Sequence, residues 1–470
     1  MTTYNIGPGE TYTTFTLLIA TETLDDDDIV DGGGNTFREV WGPDGAGTSG
    51  HPIILRNATI NGSDLLTSFS DAGSNRWYAT LSGVTAADMV WDGGIFLADK
   101  KTQLVDLVNA GDWWHDTGNN RLYIFKTSQP TSVEASQRNG ILAWQNYINI
   151  QNIIIEKVQN TGIDIFGATS INVSDCTIRN TSYHGIQYNA STGTVDGCTI
   201  SNPGLRMGDG ACVEIIAGST VTVQNSTLFC DATYSGGNQD GIMIEKSGGA
   251  ACTVTIDRNQ IYGMDNSGVS VYDNGGGTIT VRYNKIYDNT YHGIQLNNTG
   301  DMSNFSAYYN VIYGNGPTQT GRGLSVAANS DGGTIYNNVF YDNNSGVTLE
   351  DDCSLTNFKN NICYDNRGYG IYGEVGASIT NFDYNCFNAN DSADYDGFVE
   401  ATNDVTDNPL FVSATNFRLQ SGSPCRNAGV DLGLTQDFKG TKVPCGSNPD
   451  MGAFEFVGYP DNIVYNFAAA

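Results

Sequence analysis

The chain has 470 residues, 57 of them Gly, and a formal net charge of −29 at pH 7. Because phosphate binding requires clustered Lys and Arg, this charge argues against nucleic acid as a partner. No segment reaches the roughly 18 consecutive apolar residues of a membrane span, so the sequence predicts no membrane partner either.

The first part of the chain predicts a cap followed by an insertion. Residues 1–66 contain short β-branched runs bounded by turn residues, so we expect an N-terminal cap and a first coil there. Residues 67–137 form a β-rich insertion that carries Trp77, Trp91, Trp113 and Trp114. For the last two we expect a buried core position, with a sugar-stacking platform as the alternative.

From Thr161 to Phe387 a Gly followed by alternating apolar residues returns roughly every 25 residues. Alternation with period two predicts strands with one buried face, and tandem repeats of this length predict a solenoid. The repeats begin at Gly162, Gly185, Gly210, Gly241, Gly268, Gly293, Gly323, Gly346 and Gly370.

A second column, Asn-x-[Ile/Phe/Cys]-[Tyr/Phe], follows half a repeat later. Each buried amide in such a column can donate to the Asn one coil above and accept from the one below, which satisfies its polar groups. In the earlier repeats Cys176, Cys198 and Ser226 take this position. The Asn residues of the column are Asn259, Asn284, Asn310, Asn338, Asn361 and Asn385.

These columns resemble the right-handed parallel β-helix of pectate-lyase-like proteins. The resemblance implies an all-β solenoid, with coils over residues 138–400, and a carbohydrate-active function. In residues 401–470, motifs such as Asn408-Pro-Leu-Phe-Val and Asp450-Met-Gly-Ala-Phe-Glu resemble the closing segment of bacterial β-helix proteins and imply a C-terminal cap.

Polar residues accompany the middle repeats. Residues two and four positions after each Gly point outward, and neighbours in one column lie about 4.8 Å apart. The outward column four residues after Gly continues to Glu350 and Glu374. We therefore expect one exposed surface that carries His184, Asp209, Glu214, Asp240, Glu245, Lys246, Tyr272, Asp273, His292 and Arg322.

The motif Tyr-His-Gly-Ile-Gln occurs twice, around His184 and His292. Four coils separate the two rings by about 19 Å, so they cannot act on one bond. Either one is catalytic or they mark two subsites, or the motif is a repeated turn in which His bonds the backbone. Under the functional alternative we expect substrate contacts from Tyr183, Gln187, Tyr291, Gln295 and Asn297.

Two carboxylate pairs, Asp209 with Asp240 and Glu214 with Glu245, are expected one coil apart. At about 5 Å, such pairs raise one another's pKa or capture a cation. They are candidates for the acid and nucleophile of a retaining glycosidase. Alternatively, Asp209, Glu214 and Glu245 are candidate Ca²⁺ ligands, or all are a solvated acidic face. No organic cofactor is expected.

A third chemistry is proton abstraction at C5 of a uronic acid. It needs a base, a group that neutralises the sugar carboxylate, and an acid. The segment Asn180-Thr-Ser-Tyr-His-Gly-Ile-Gln resembles the Arg-His-Gly-Phe strand of mannuronan C5-epimerases, and Gln239-Asp-Gly-Ile resembles their Asp-Gly-Phe strand. This resemblance implies catalytic roles for His184 or His292 and for Asp240. A resemblance to β-helix lyases makes Lys246 the base. Tyr272 and Arg322 supply the remaining residue types.

The first prediction is therefore a lyase or epimerase acting on an extended uronate polysaccharide such as alginate or pectate. A glycoside hydrolase and a non-catalytic glycan-binding module of the phage-tailspike kind are the alternatives. We expect a monomer, or a trimer if the protein is tailspike-like.

The compartment and the cysteines complete the sequence predictions. The sequence shows no secretory signal, yet we expect a secreted or extracellular protein, with a virion-associated one as the alternative. Cys425 and Cys445 are disulfide candidates. Cys176 and Cys198 are expected to stack as small apolar residues.

Overall fold

The computed structural model describes residues 1–81, 87–206, 208–231, 237–297, 300–317, 320–327 and 329–458. The chain divides into two compact units. The first comprises Met1–Glu214 with Cys230–Gln239, and the second comprises Ile215–Phe229 with Asp240–Ala470. No helix in the described ranges is long and apolar enough to cross a membrane.

The regular elements of residues 1–216 are β-strands, apart from one short helix and a 3₁₀ turn at Leu104–Asp106. In chain order the elements are β1 (Thr3–Asn5), α1 (Phe15–Ile19), β2 (Ile29–Asp31), β3 (Thr36–Phe37), β4 (Ile53–Asn61), β5 (Ser63–Leu66), β6 (Ser70–Gly73), β7 (Arg76–Thr80), β8 (Val90–Asp92), β9 (Ile95–Phe96), β10 (Trp113–Asp116), β11 (Arg121–Phe125), β12 (Val133–Ser136), β13 (Ile141–Ala143), β14 (Ile148–Glu156), β15 (Ile163–Phe166), β16 (Ile171–Ser174), β17 (Thr177–Arg179), β18 (Ile186–Asn189), β19 (Thr192–Asp196), β20 (Thr199–Ser201) and β21 (Ala211–Ile216).

Stacked parallel strands build the first unit. The long strands β4 and β14 pair in parallel from Ile53 opposite Ile148 to Asn61 opposite Glu156. Alternate Ile residues of β14 are fully buried, as the period-two pattern predicts. Cys176 and Cys198 are buried in neighbouring coils, which confirms their predicted stacking.

The insertion consists of two four-stranded antiparallel sheets, ordered β10-β11-β7-β6 and β5-β12-β8-β9. Trp113 is fully buried in its core, and its indole N–H donates to the Leu97 carbonyl at 2.8 Å. Trp114 is half-buried and stacks on Tyr123 with ring centroids 5.3 Å apart. The expected core position is therefore confirmed for Trp113.

The second unit contains the remaining strands. They are β22 (Thr220–Gln224), β23 (Thr227–Phe229), β24 (Asp240–Glu245), β25 (Thr253–Asp257), β26 (Gln260–Tyr262), β27 (Val269–Tyr272), β28 (Thr278–Arg282), β29 (Lys285–Tyr287), β30 (Ile294–Asn297), β31 (Gly300–Asp301), β32 (Phe305–Tyr308), β33 (Val311–Tyr313), β34 (Arg322–Val326), β35 (Ser330–Asp331), β36 (Thr334–Tyr336), β37 (Val339–Tyr341), β38 (Ser345–Leu349), β39 (Ser354–Lys359), β40 (Ile362–Tyr364), β41 (Tyr369–Gly373), β42 (Ser378–Asp383), β43 (Cys386–Asn388), β44 (Ala393–Asp396), β45 (Phe411–Ser413) and β46 (Asn416–Leu419).

The predicted asparagine column is present as a buried ladder. Asn310 is typical: its Oδ1 accepts from the backbone N–H and the side-chain Nδ2 of Asn284, each at 3.0 Å. Its own Nδ2 donates to Asn338 Oδ1 at 3.0 Å and to the Val281 carbonyl at 2.8 Å. Each coil is thus tied to its neighbours through groups that burial would otherwise leave unpaired.

A second asparagine ladder lies five residues further along each coil. Asn315 donates to Asn343 Oδ1 at 2.9 Å, and the same bond recurs along the column. Sequence analysis predicted one ladder and missed this one. Its members are Asn289, Asn315, Asn343, Asn366 and Asn390.

The segment after the last coil packs against the second unit's own coils. Val405 continues the parallel backbone pairing beyond β43: its N–H donates to the Asn385 carbonyl, and its carbonyl accepts from the Phe387 N–H. Further on, Phe417 inserts between Tyr313 and Tyr341, with ring centroids 5.3 Å from each. Of the predicted capping segment, residues 459–470 lie outside the described residues.

The expected disulfide is wrong. All ten cysteines are free thiols, with Cys425 buried and Cys445 exposed. The buried Cys425 sulfur lies beside Cys386 instead, and this contact, together with burial, raises the pKa of the Cys386 thiol.

Within each unit the coils stack in parallel, and this confirms the predicted all-β parallel β-helix. The strands that follow the repeat glycines form one continuous face of each coil stack, which we call the glycine sheet. In the first unit it contains β13, β15 and β18, and in the second unit β24, β27, β30, β34, β38, β41 and β44.

Candidate active site

The repeat glycines set the register of the glycine sheet. The Gly241 N–H donates to Ser267 O, and the Gly268 N–H donates to His292 O. A Cβ added at Gly241 would lie 2.4 Å from the Gly268 carbonyl oxygen, so only Gly fits at this position. The same register fixes which side chains stand beside one another on the outer face.

In the second unit the predicted site residues fall into two rows. Asp240, Ser267, His292 and Arg322 precede their glycines and form the upstream row. Glu245, Tyr272 and Asn297 pair four residues after the glycines and form the downstream row.

The two rows are too far apart for one reaction. Five residues of strand span about 16 Å, so a group in the upstream row and one in the downstream row cannot act on one bond. Lys246 directly follows Glu245 and belongs with the downstream row. Asp240 and His292 are also buried, so the expectation of one exposed surface that carries all of these residues is wrong.

Asp240 is a buried carboxylate. It is 3% exposed, and it accepts from Ser270 Oγ at 2.6 Å, from the Ser267 N–H at 3.1 Å and from Asn266 Nδ2 at 3.4 Å. Donors from the next coil therefore hold it in place. The predicted exposure of Asp240 is wrong because these contacts cover it.

Both motif histidines bond the backbone. Nδ1 of His184 accepts from the Ala211 N–H at 3.1 Å, and Nδ1 of His292 accepts from the Arg322 N–H at 3.2 Å. Both rings are buried rather than exposed. This is the repeated turn that the structural alternative predicts, and it places the ring proton of each neutral His on Nε2.

Burial also decides what these rings can do. It lowers the pKa of His184 to about 3 and, with the nearby Arg322 charge, lowers the pKa of His292 to about 3. A neutral ring whose Nδ1 is occupied has no free lone pair. Each His therefore acts as an N–H donor in this geometry and not as a general base.

In the first unit, Glu214 lies beside the His184 ring. Its Oε2 is 3.2 Å from His184 Nε2, and it accepts from Gln187 Nε2. Glu214 is 5% exposed, and the ring of Tyr183 lies against His184 with centroids 3.6 Å apart. These groups form a buried polar cluster of His184, Gln187 and Glu214.

A register shift at the third repeat separates the predicted carboxylate pairs. The residue stacked on Gly185 is Cys212, not Gly210, because the Gly185 N–H donates to Ala211 O. Glu214 therefore falls in the column of Gln187, two residues after the glycine position. Glu245 instead takes the column four residues after Gly, so the pairing of these two Glu is wrong.

The other predicted pair fails for the same reason. Asp209 precedes β21 by two residues, outside the column of His184, and it is exposed with Asn238 Nδ2 donating to it at 3.0 Å. Among the described residues, no group of three or more His, Cys, Asp or Glu side chains is arranged to hold a metal ion. The proposed Ca²⁺ ligands Asp209, Glu214 and Glu245 therefore do not fit a calcium site.

The predicted substrate contacts are partly accessible. The Tyr272 hydroxyl donates to Gln295 Oε1 at 3.2 Å, and Asn297 is half-buried at the end of β30. Tyr291 is 42% exposed. Arg322 is half-buried, and its Nη1 donates to the Thr320 carbonyl. Gln295 and Tyr272 thus share a hydrogen bond on the outer face of the second unit.

Sequence analysis missed a carboxylate pair that the register does align. Thr348 pairs with Tyr372 and Leu349 with Gly373, and the Glu374 N–H donates to Leu349 O. Glu350 and Glu374 consequently stand on adjacent coils, about 4.8 Å apart along the stack. Both residues are half-buried and follow an inward-facing position, so they face outward.

A cavity and two aromatic rings lie beside Glu374. Tyr369 and Tyr372 stack with ring centroids 4.9 Å apart, and Asp396 pairs with Tyr372 on the next strand. Glu374, Tyr372 and Asp396 line a cavity of about 410 Å³. The charge of Asp396 raises the pKa of the Tyr369 hydroxyl. Carboxylates beside stacked aromatic rings are suited to bind a sugar.

The buried histidines predict a pH dependence of stability. His292 has an ordinary pKa of 6.5 and a folded-state pKa of about 3, so between these values the unfolded chain binds a proton that the folded protein does not. Stability is then present above pH 6.5 and is lost as the pH falls. We expect His292→Asn, which keeps an acceptor for the Arg322 N–H, to remove about 1.5 kcal/mol of the loss between pH 6.5 and 5.

Chemical denaturation of both proteins at several pH values measures this difference. Burial raises the pKa of Glu455 to about 7, so its titration makes the protein more stable as the pH falls through the same window. Both proteins contain Glu455, and its contribution cancels when the stability curve of the variant is subtracted from that of the wild type. Parallel curves for the two proteins would show that His292 does not stay neutral in the fold.

The family model described as a right-handed β-helix region matches this chain at residues 71–249, 139–307 and 240–409. A comparison with curated proteins finds no sequence match.

Three solved structures are similar to this chain. The structure of XylC with xylose has a TM-score of 0.70 at 12% identity, covering 97% of this chain and 98% of that chain. A glycoside hydrolase has a TM-score of 0.50 at 10% identity, covering 84% and 97%. Pectate lyase Pel9A has a TM-score of 0.49 at 13% identity, covering 97% and 96%.

At these identities the likeness concerns the fold alone. The family match covers well over half of the chain and agrees with the parallel coils of both units. The chain belongs to the family of proteins with a right-handed β-helix region.

Proposed function

We propose that this protein is a carbohydrate-active enzyme that hydrolyses an extended glycan at Glu350 and Glu374. The observation that carries the proposal is the register of these residues, which puts two carboxylates on adjacent coils, with Glu374 lining a cavity of about 410 Å³. Retaining glycosidases use carboxyl groups about 5 Å apart, and the coil spacing matches that distance.

The chemistry assigns one task to each carboxylate. Glu374 lines the cavity and attacks the anomeric carbon, forming a carboxylate ester as the glycosidic bond breaks. Glu350 protonates the leaving oxygen. Water then attacks the anomeric carbon, gives its proton to Glu350 and releases Glu374, so both side chains return to their starting states.

The rings beside the pair supply a binding surface. The stacked Tyr369 and Tyr372 present apolar area next to Glu374, against which a sugar ring packs. Parallel strands on either side continue the outer face, and a shallow face of this kind suits an extended chain better than a single sugar. An acidic face also favours a neutral or weakly charged glycan over a polyuronate.

The upstream row favours a second candidate, the lyase or epimerase chemistry that the sequence first suggested. Arg322 lies one coil from His292, so a cation that neutralises a uronate carboxylate stands beside an N–H donor. Asp240 lies two coils from His292 and is the carboxylate of this row, but it would have to release its Ser267 and Ser270 donors before it could remove a C5 proton. Lys246 lies about 16 Å downstream and does not share this site.

A glycan panel separates the two candidates. Purified protein is mixed with xylan, polygalacturonate and alginate, and both reducing ends and ultraviolet absorbance from unsaturated sugars are followed. Xylan is included because the XylC structure holds xylose. Hydrolysis gives reducing ends without absorbance, while a lyase gives both, and an epimerase changes proton NMR signals without scission. No product from any glycan would refute both candidates.

A further inference from the structure

A separate cavity lies in the first unit, beside the insertion. It has a volume of about 610 Å³, which falls within the range of small-molecule sites. Side chains from β5, from the turn that follows it and from the residue after β12 line it. The polar lining groups are Arg38, Asp64, Thr67, Ser68, Ser70, Thr80 and Gln137.

Gln137 is the unusual member of this lining. Its backbone N–H donates to Gly62 O at 2.8 Å, which fixes the residue in place. The residue is 9% exposed, yet in the described part of the chain both side-chain amide atoms are buried with no hydrogen-bond partner. Buried amides are almost always paired, so this unpaired one, on a residue of the cavity wall, marks a group that a rotation of the side chain would present to a ligand.

The charged groups of the wall are already paired within the protein. Asp64 accepts from Arg138 Nη2 at 2.7 Å, and Arg38 lies 3.4 Å from Glu134 while it also donates to the Ser63 carbonyl. The cavity therefore offers no unneutralised charge to an ionic ligand. What remains unpaired is an amide that needs both a donor and an acceptor, which a sugar hydroxyl supplies at once.

We propose that this cavity binds one or two neutral sugar units through the Gln137 amide. The hydroxyls of Thr67, Ser68 and Ser70 line the same space, and Leu65 and Leu66 add apolar surface for a sugar ring. The site goes beyond the proposed hydrolysis, because every residue that forms it belongs to the first unit whereas Glu350 and Glu374 belong to the second.

Isothermal titration calorimetry tests the site with xylobiose and cellobiose as neutral probes and digalacturonate as the charged comparison. The Glu374→Gln protein prevents turnover and serves as the parent. Gln137→Leu in this parent should weaken binding of the neutral disaccharides at least tenfold, while Gln260→Leu, which changes an exposed glutamine, should leave it unaltered. Digalacturonate should bind more weakly than either neutral probe.

A folding control accompanies the titration. Because Gln137→Leu removes an unpaired buried amide and no hydrogen bond of the side chain, its melting temperature without sugar should equal or exceed that of the parent. If the melting temperature of Gln137→Leu falls instead, Ser68→Ala is used as the test variant. It deletes one lining hydroxyl and should weaken sugar binding about threefold.

Two results would overturn the proposal. One is the absence of saturable heat with both neutral disaccharides, and the other is equal affinity of the Gln137→Leu or Ser68→Ala protein and its parent. Neither result bears on hydrolysis, which is measured on the unmodified protein with polymeric glycans, so the two proposals fail separately.

Discussion

Replacing Glu374 by Gln should lower kcat for glycan hydrolysis at least about 1000-fold, and Glu350→Gln should lower it by a similar factor. An amide cannot form the ester intermediate and cannot donate the proton that the leaving oxygen requires, and each of these tasks contributes roughly 100- to 10,000-fold. Initial rates of reducing-end release on the glycan that the wild-type protein cleaves give the measurement.

Glu400→Gln is the matched control, since Glu400 is an exposed carboxylate of the same unit outside the cavity. It should retain full activity. Added azide distinguishes the nucleophile from the acid. In Glu374→Gln, azide takes the place of the missing nucleophile, whereas in Glu350→Gln it attacks the glycosyl ester on Glu374. The two variants should therefore give sugar azides of opposite anomeric configuration. Activity of Glu374→Gln within tenfold of wild type would remove this residue from the mechanism.

The second large effect concerns the fold. Asn310→Ala should destabilise the protein by about 4 kcal/mol, because it leaves the backbone N–H of Asn284 buried without its acceptor and removes the donor that Asn310 Nδ2 gives to the Val281 carbonyl. Each unpaired buried group costs about 1–3 kcal/mol. Urea denaturation followed by circular dichroism measures the change in the free energy of unfolding.

The control for the ladder is Asn381→Ala. Asn381 Nδ2 also bonds an Asn one coil away, Asn357 Oδ1 at 3.0 Å, but on an exposed face where water replaces the lost partner. We expect a loss below about 1 kcal/mol. Equal losses in the two variants would show that burial of the inner ladder does not govern stability.

Much of the fold follows from two sequence columns. The recurring Gly and the alternating apolar residues after it predict strands with one buried face, and the Asn column predicts a ladder between coils. The second ladder was missed although it was visible, because Asn-Lys-Ile-Tyr-Asp-Asn at Asn284–Asn289 repeats two Asn at a spacing of five. Period-two reasoning gave no cause to expect a polar residue at that buried corner.

The site was harder to predict, for three physical reasons. A two-residue slip at Cys212 moved Glu214 into another column, and no local pattern marks such a slip. Strand length separates residues at the two ends of β24, so column membership alone does not bring Asp240 to Lys246. Burial also depends on contacts that the repeat does not specify: donors from the next coil cover Asp240, and His184 lies against Tyr183 and Glu214.

Glu350 and Glu374 were in the outward column from the start. No recurring motif surrounds them, whereas the repeated Tyr-His-Gly-Ile-Gln favoured His184 and His292 as the candidate catalytic residues. The stacked tyrosines at Tyr369 and Tyr372 give a signal beside the pair, since two aromatic residues three apart precede Glu374 in the sequence.

Proton NMR of the first product formed by the wild-type protein tests the adjacent-coil carboxylate pair most directly. Glu350 and Glu374 at the coil spacing predict that the newly released sugar keeps the anomeric configuration of the glycan. An inverted anomer would contradict this pair and indicate the wider diagonal pair of Glu374 and Asp396, and an unsaturated product would contradict hydrolysis altogether.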